Sequence, residues 1–130
     1  DPKISLKNMV EKNSEFPGYY YYLKQKVRSC GMPVAVVEPY LKDLELKTLE
    51  ELRVEQLDEP AANIDSRLFT ALIEVLQGDK FITQRTKIRT KCTEGRGREA
   101  VLVLAQHYQF SRKKQAFKIQ EPLCKYRDPQ

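Results

Sequence analysis

The sequence predicts an all-α fold, a compact bundle of about six short helices. Apolar residues recur at intervals of three and four, as on one face of a helix. Glycine and proline separate these stretches at short intervals, and no convincing hairpin pattern is present. A chain of 130 residues, 41% hydrophobic and 32% charged, can bury one modest core. We therefore place a single helical domain at residues 16–124, with an N-terminal extension at 1–15 and a tail at 125–130.

The first predicted helix follows a Pro-Gly turn signal and contains four consecutive tyrosines, residues 19–22. Its apolar stripe consists of residues spaced by three or four, namely Tyr20, Leu23, Val27 and Cys30, before a stop at Gly31. Because successive helical residues lie about 100° apart, the four tyrosines cannot share a face. We expect Tyr20 in the core and Tyr19, Tyr21 and Tyr22 at its edge or on the surface. This arrangement does not favour a base-stacking platform.

Two shorter apolar stretches follow. Pro33 can open a second helix that extends to Leu44, since a proline in the first turn loses no hydrogen bond. Pro39 inside that helix predicts a kink or a break into two pieces. The third stretch has acidic residues around leucines at or near helical spacing, Leu46, Leu49, Leu52 and Leu57. Residues 58–60, Asp-Glu-Pro, are predicted to form a loop.

The clearest helix prediction begins at an N-cap, Asp65 or Ser66, and ends at Gly78. Its wide apolar face is formed by Leu68, Phe69, Leu72, Ile73, Val75 and Leu76, which makes it the candidate central helix of the core. Residues 79–92 also show helical spacing. Their threonines weaken that interpretation, so helix and strand both remain open for this segment.

The last part of the chain predicts a loop followed by two helices. Residues 93–97, TEGRG, are predicted to be a flexible loop. Residues 98–108 form a helix whose apolar side chains recur at intervals of three and four. Ser111 is a candidate cap for a final helix that carries Phe117 and Ile119.

Charge is strongly segregated along the chain, which has a net charge of +5. Residues 38–59 contain eight acidic and three basic residues, a net charge of −5. Residues 80–127 contain thirteen basic and three acidic residues, a net charge of +10. Such a chain can pair its two ends within one fold, dock head to tail with its own copies, or attract polyanions.

Patterns of reactive residues are sparse. His107 is the only histidine, and no nucleophile motif such as G-x-S-x-G is found near it, so we interpret it as a boundary residue. The cysteines form no C-x-x-C pair and lack histidine partners at zinc-finger spacing. Residues 95–98, GRGR, do not match the G-x-x-x-x-G-K-[ST] phosphate loop. The sequence predicts no catalytic residue, no cofactor and no metal site.

No window approaches 18 consecutive apolar residues, so we expect no membrane partner. Three widely spaced cysteines without a signal-peptide pattern predict reduced thiols in an intracellular compartment, cytoplasmic or nuclear. The first residue, Asp1, suggests a fragment of a longer protein.

Three blocks of the chain follow one another in a recognisable order. Residues 16–23, FPGYYYYL, open a helix that leads to Cys-Gly-Met at 30–32. Residues 68–81 read LFTALIEVLQGDKF, and residues 97–108 read GREAVLVLAQHY. This order resembles the capsid-like Gag domain of LTR retrotransposons, closest to copia-type elements, with its F-x-G-x-x-Y-x-x-W, L-x-G and E-A-W-x-x-L-x-x-x-Y blocks. The two tryptophans of the family pattern are absent here, near Leu23 and at Val101.

The resemblance implies a non-enzymatic self-assembly module, a homo-oligomer whose copies contact one another through helix faces and enclose RNA. The residues that it implies for assembly are Tyr19, Tyr21, Tyr22, Glu50 and Glu51. Those that it implies for RNA or another polyanion are Arg96, Arg98, Arg112, Lys113 and Lys114. The alternative is a helical protein- or nucleic-acid-binding module of a larger intracellular protein, which uses the basic C-terminal half. That alternative predicts a monomer whose affinity for RNA falls steeply with salt.

Overall fold

A computed structural model describes residues 4–111 of the chain, and within them it contains six α-helices and no strand. The helices are α1 (Phe16–Arg28), α2 (Val34–Leu46), α3 (Leu49–Val54), α4 (Glu59–Val75), α5 (Ile82–Lys91) and α6 (Gly97–His107). Two 3₁₀ turns, Asn13–Glu15 and Asp79–Phe81, precede α1 and α5. The predicted all-α bundle is confirmed. The final helix predicted from Ser111 lies outside the described residues, apart from Ser111 itself.

Helix α6 is the centre of the bundle. It packs against α3, α4 and α5, while α2 packs against both α1 and α4. Every residue from 97 to 105 is buried, so α6 contacts its neighbours on all sides. The sequence predicted a central helix in the region of α4. Helix α4 is amphipathic and packs closely on α6, but α6 is the more completely buried of the two.

The N-terminal segment packs against the bundle from Ile4 onward. Ile4 and Met9 are buried in the core. The Tyr19 hydroxyl donates to the carbonyl of Lys7 at 2.7 Å, and the Tyr108 hydroxyl donates to the carbonyl of Val10 at 2.6 Å. Residues 4–15 are therefore part of the folded domain, and the predicted boundary at residue 16 lies too far along the chain.

Two prolines lie at positions where the sequence predicted interruptions. Pro39 lies inside α2, which is one continuous helix that extends to Leu46, so the predicted division into two pieces does not occur. Pro39 is exposed, and the carbonyl left without its helical donor lies in the first turns of the helix. Pro60 lies in the first turn of α4, which begins at Glu59 with Asp58 as its N-cap. The predicted loop at 58–60 is wrong because a first-turn proline needs no backbone N–H.

Residues 79–91 are helical, a 3₁₀ turn followed by α5, which resolves the choice between helix and strand. Gly78 has a φ of +104°, a backbone conformation that favours glycine, and it separates α4 from the 3₁₀ turn. The Arg85 guanidinium donates to the carbonyls of Leu76 and Gly78 at this junction. This cation thus stabilises the C-terminal end of α4, where orphan carbonyls need donors.

Gly97 allows a close approach between α4 and α6. A Cβ atom built at Gly97 would lie 2.6 Å from the Leu68 Cβ and 2.7 Å from the Asp65 carbonyl oxygen. No other residue type fits this position without displacing α4. The sequence analysis included Gly97 in a flexible loop, whereas the structure makes it the first residue of the central helix.

Candidate interaction surfaces

The four tyrosines of α1 lie in three environments. Tyr19 and Tyr20 are buried, at 2% and 5% exposure, and Tyr22 is half-buried with its hydroxyl accepting from the Lys7 backbone N–H. Burial raises the pKa of the Tyr19 hydroxyl, and the charges of neighbouring tyrosines add to the effect. Tyr21 alone is well exposed, at 62%. Tyr19 therefore lies in the core, not on an assembly surface, and Tyr21 is the tyrosine that a partner can reach.

Tyr21 belongs to a surface that α1 and α2 share, which we call the α1–α2 outer face. On α1, Tyr21, Lys24 and Arg28 are spaced by three and four and so lie on one side of the helix. Lys24 pairs with Glu45, and Arg28 Nε pairs with Glu38 at 2.9 Å. These two ion pairs connect α1 to α2 across the face. A shallow depression of about 490 Å³ lies between them.

The two acidic residues proposed for assembly, Glu50 and Glu51, are both exposed in the first turn of α3. Glu51 accepts from the Thr48 backbone N–H at 2.8 Å, and its own N–H donates to the Thr48 hydroxyl at 3.2 Å. This capping box gives Glu51 a role in holding α3 together. Glu50 has no such role in the helix cap, and it lies on the rim of a groove.

That groove, which we call the α3–α6 groove, has a volume of about 450 Å³. It is lined by Thr48, Leu49, Glu50, Leu102, Ala105, Gln106, Phe110 and Ser111. Half of these side chains are apolar, and Glu50 is the one charged residue among them. The groove can receive an apolar side chain, and its rim favours a cation beside it.

Arg98 does not belong to an exposed cationic surface. Its side chain is 2% exposed and pairs with Glu55 at 2.8 Å and, at longer range, with Asp43 and Asp65. Its Nη1 also donates to the carbonyl of Tyr40, and the guanidinium lies 4.4 Å from the centre of the Tyr40 ring. The structure corrects the implied role of Arg98 in RNA binding, because a guanidinium that is 2% exposed and paired with Glu55 cannot reach phosphate. The spacing of Arg98 with Val101 and Ala105, three and then four, was the sequence signal that it faces inward.

Asp65 is the buried acid of this ionic cluster. Its Oδ1 accepts from the Tyr40 hydroxyl at 2.5 Å and from the Arg98 backbone N–H at 2.9 Å. Burial raises the pKa of Asp65 above its ordinary value, although the hydrogen bonds from Tyr40 and Arg98 and the charges of Arg98 and Arg96 act in the opposite direction. The sequence analysis treated Asp65 as a candidate N-cap of its own helix. The structure instead makes it a link between α2, α4 and α6.

The other cations of the basic half divide between structural and exposed positions. Arg96 is half-buried and donates to the carbonyl of Glu55 at 3.0 Å, which reduces its availability to a ligand. Arg89 and Lys91, on α5, are exposed. Arg112, Lys113 and Lys114 lie outside the described residues. Lys80 is also exposed but pairs with Glu11, so within residues 4–111 α5 offers two exposed cations of the basic half.

The described residues do not assemble a catalytic constellation around His107. Its Nδ1 lies 3.1 Å from the Lys87 Nζ, and its ring meets Tyr108 edge-on. Burial and the Lys87 charge lower the pKa of His107. The thiols of Cys30 and Cys92 are free, and burial raises the pKa of Cys92 to about 12, so neither reactive thiolate chemistry nor a His–Cys pair is indicated.

Among residues 4–111, no three metal-ligating side chains converge on one point. In the same part of the chain, no helix has the length and apolar character needed to cross a bilayer. No protein-family model, curated protein or solved structure matches this chain. Fold and surface together define an all-α domain with exposed helix faces.

Proposed function

We propose that this chain is a non-enzymatic self-assembly module, similar in role to the capsid-like Gag domain that its sequence resembles. The main supporting observation is Tyr21, 62% exposed on the α1–α2 outer face. Tyrosine is enriched at the centres of protein interfaces because a large, rigid ring contributes contact area at little entropic cost. An exposed tyrosine on a well-packed helix is the kind of anchor that such an interface uses.

The surroundings of Tyr21 support the same role. The ion pairs Lys24–Glu45 and Arg28–Glu38 place charged groups from both helices on the α1–α2 outer face. An aromatic anchor with charged residues around it matches the usual plan of an interface, an apolar centre and a polar rim. The cross-helix pairs also restrain their long side chains before any partner arrives, which reduces the entropy lost on binding.

The experiment compares self-association of the full chain with that of three variants, by light scattering over a concentration series. Tyr21→Ser removes the ring and is expected to weaken association by about tenfold or more, as loss of an interface hot spot does. Tyr21→Phe keeps the ring and should retain most of the association. Val54→Ser is the matched control, since Val54 is 80% exposed on α3, away from this face. Equal association of Tyr21→Ser and wild type would reject the Tyr21 interface.

A second candidate function is binding of RNA or another polyanion through the basic half. It is supported by the exposure of Arg89 and Lys91 on α5 and by the basic sequence of residues 112–114. Phosphate contacts release counterions, so this function predicts an affinity for single-stranded RNA that falls steeply between 50 and 200 mM salt, roughly in proportion to the number of contacts. Replacing both Arg89 and Lys91 by serine should reduce the affinity and the salt slope together. An unchanged slope would exclude α5 as the binding surface.

A further inference from the structure

We propose that copies of this chain associate head to tail, with the outer face of α5 from one copy seated in the α3–α6 groove of the next. This inference rests on the proposed function of self-association and adds to it a second contact, separate from the Tyr21 interface on the α1–α2 outer face.

The α3–α6 groove favours a partner surface that presents an apolar side chain with a cationic side chain next to it. Its floor includes Leu102, which is 4% exposed, together with Ala105 and Leu49. Glu50 on the rim is exposed and is the only charged side chain of the lining. An apolar side chain in the groove would cover this floor, and a cation at the rim would complement Glu50.

The outer face of α5 has this composition. Ile82, Thr86 and Arg89 are spaced by four and three, so they form one stripe along the helix, and all three are exposed. Ile82 is 55% exposed, which makes it one of the large exposed apolar side chains of the described residues. Ile82 and Arg89 lie two turns apart, about 10 Å along the helix axis. One helix therefore presents an apolar group, a small polar group and a cation in a row.

These two surfaces face different directions in one chain. The inner face of α5, with Gln84 and Ile88 buried, already packs on α6. The stripe of Ile82 and Arg89 therefore points away from the chain's own α6 and its groove. A contact between different patches of identical copies is heterologous, and it either closes into a ring or continues as a filament.

Two other arginines of the basic half are used within the chain and are not available to the groove. Arg85 binds the carbonyls of Leu76 and Gly78, and Arg98 is buried among acidic side chains. Arg89 is exposed and lies on the same stripe as Ile82.

The experiment uses full-length charge-reversal variants in sedimentation at low salt, with thermal unfolding by circular dichroism as the check on folding. Glu50→Arg and Arg89→Glu should each weaken self-association by about tenfold or more, because each places like charges together. The double variant Glu50→Arg/Arg89→Glu should regain association, since every contact again pairs opposite charges. An equimolar mixture of the two single variants should also associate. Glu74→Arg, at an exposed acid of α4 outside the groove, is the matched control and should associate like wild type.

Rescue by the double variant supports the proposed contact, because only direct pairing of residues 50 and 89 restores it. If wild type associates and neither single variant differs from it, the contact is wrong while self-association stands. If Glu50→Arg weakens association and Arg89→Glu does not, the groove holds another occupant and the contact is also wrong. If wild type stays monomeric at every concentration, the proposed function fails together with this inference.

Discussion

The backbone N–H of Arg98 donates to the carboxylate of Asp65 at 2.9 Å, so a side chain of α4 caps the first turn of α6. The N-cap residue of α6 itself, Arg96, makes no side-chain capping bond. A carboxylate at a helix N-terminus satisfies an orphan donor and interacts favourably with the helix dipole. Since the same carboxylate accepts from Tyr40 of α2, one side chain fixes three helices relative to one another.

Loss of the Arg98 charge should strongly destabilise the fold. Arg98→Met keeps an extended side chain but leaves Asp65 and Glu55 without their buried cation, and removing one partner of a buried pair costs about 3–5 kcal/mol. The free energy of unfolding, measured by urea titration, is the test. The control, Arg89→Met at an exposed position, should change it by less than about 0.5 kcal/mol. A loss below about 1 kcal/mol for Arg98→Met would show that the ionic cluster does not stabilise the domain.

Tyr40→Phe should cost less than loss of Arg98. The ring stays in place, but Asp65 loses a hydroxyl donor at 2.5 Å and keeps the backbone N–H of Arg98. Leaving a buried acceptor partly unsatisfied costs about 1–3 kcal/mol. The same urea titration measures this loss. An unchanged free energy of unfolding would show that the Tyr40–Asp65 hydrogen bond does not stabilise the domain.

Gly97→Ala should destabilise the domain by about 1–3 kcal/mol, the usual cost of overpacking a core. The added methyl group would lie 2.6 Å from the Leu68 Cβ and would force α4 away from α6. Gly18→Ala is a matched control, because Gly18 lies in α1 with nothing within 4 Å of an added Cβ. Alanine should stabilise that helix slightly. Equal melting temperatures for the two variants would argue against the close approach at Gly97.

Cys92 should react slowly with iodoacetamide in the native chain. Burial raises its pKa to about 12, and the neighbouring Glu99 charge acts in the same direction, so the thiolate is scarce at pH 8. The rate of alkylation at Cys92, followed by mass spectrometry of its peptide, should rise by at least about tenfold in urea, where the pKa returns to its ordinary value. The denatured chain is its own control. Similar rates in both states would contradict the burial of this thiol.

Burial of His107, together with the charge of Lys87, should make stability fall in mild acid. The pKa of His107 is lowered in the folded state, so the unfolded chain binds more protons as the pH drops through the ordinary histidine range. The free energy of unfolding should therefore decrease from pH 7 to pH 5, and His107→Gln should flatten this part of the profile. An identical pH dependence in wild type and His107→Gln would mean that another group controls it.

Apolar spacing was sufficient to predict the helices that contact the core. Two predictions were correct, the buried stripe of Tyr20, Leu23 and Val27 and the helix that is now α6. Both depended on apolar spacing, because burial of an apolar face dominates helix packing. The start of α4 was missed because Pro60 marks a loop in most contexts, yet it is acceptable in a first turn.

The errors in the predicted binding and assembly residues have a different cause. Arg98 follows a glycine in a basic segment, and its partners Asp65 and Glu55 lie more than 30 residues earlier in the chain. Charge counting along the sequence cannot reveal which cations pair in three dimensions. Tyr19 was similarly placed at the edge, because the N-terminal segment that covers it was predicted to be an extension.

Sedimentation velocity of the purified full chain, over a concentration series without RNA, tests the central claim most directly. We predict association that grows with concentration and weakens at high salt, since charged groups contribute to the contact. Adding single-stranded RNA should not be required for this association. A chain that remains monomeric throughout the series and shifts only with RNA at low salt would contradict self-assembly, and it would favour the polyanion-binding function instead.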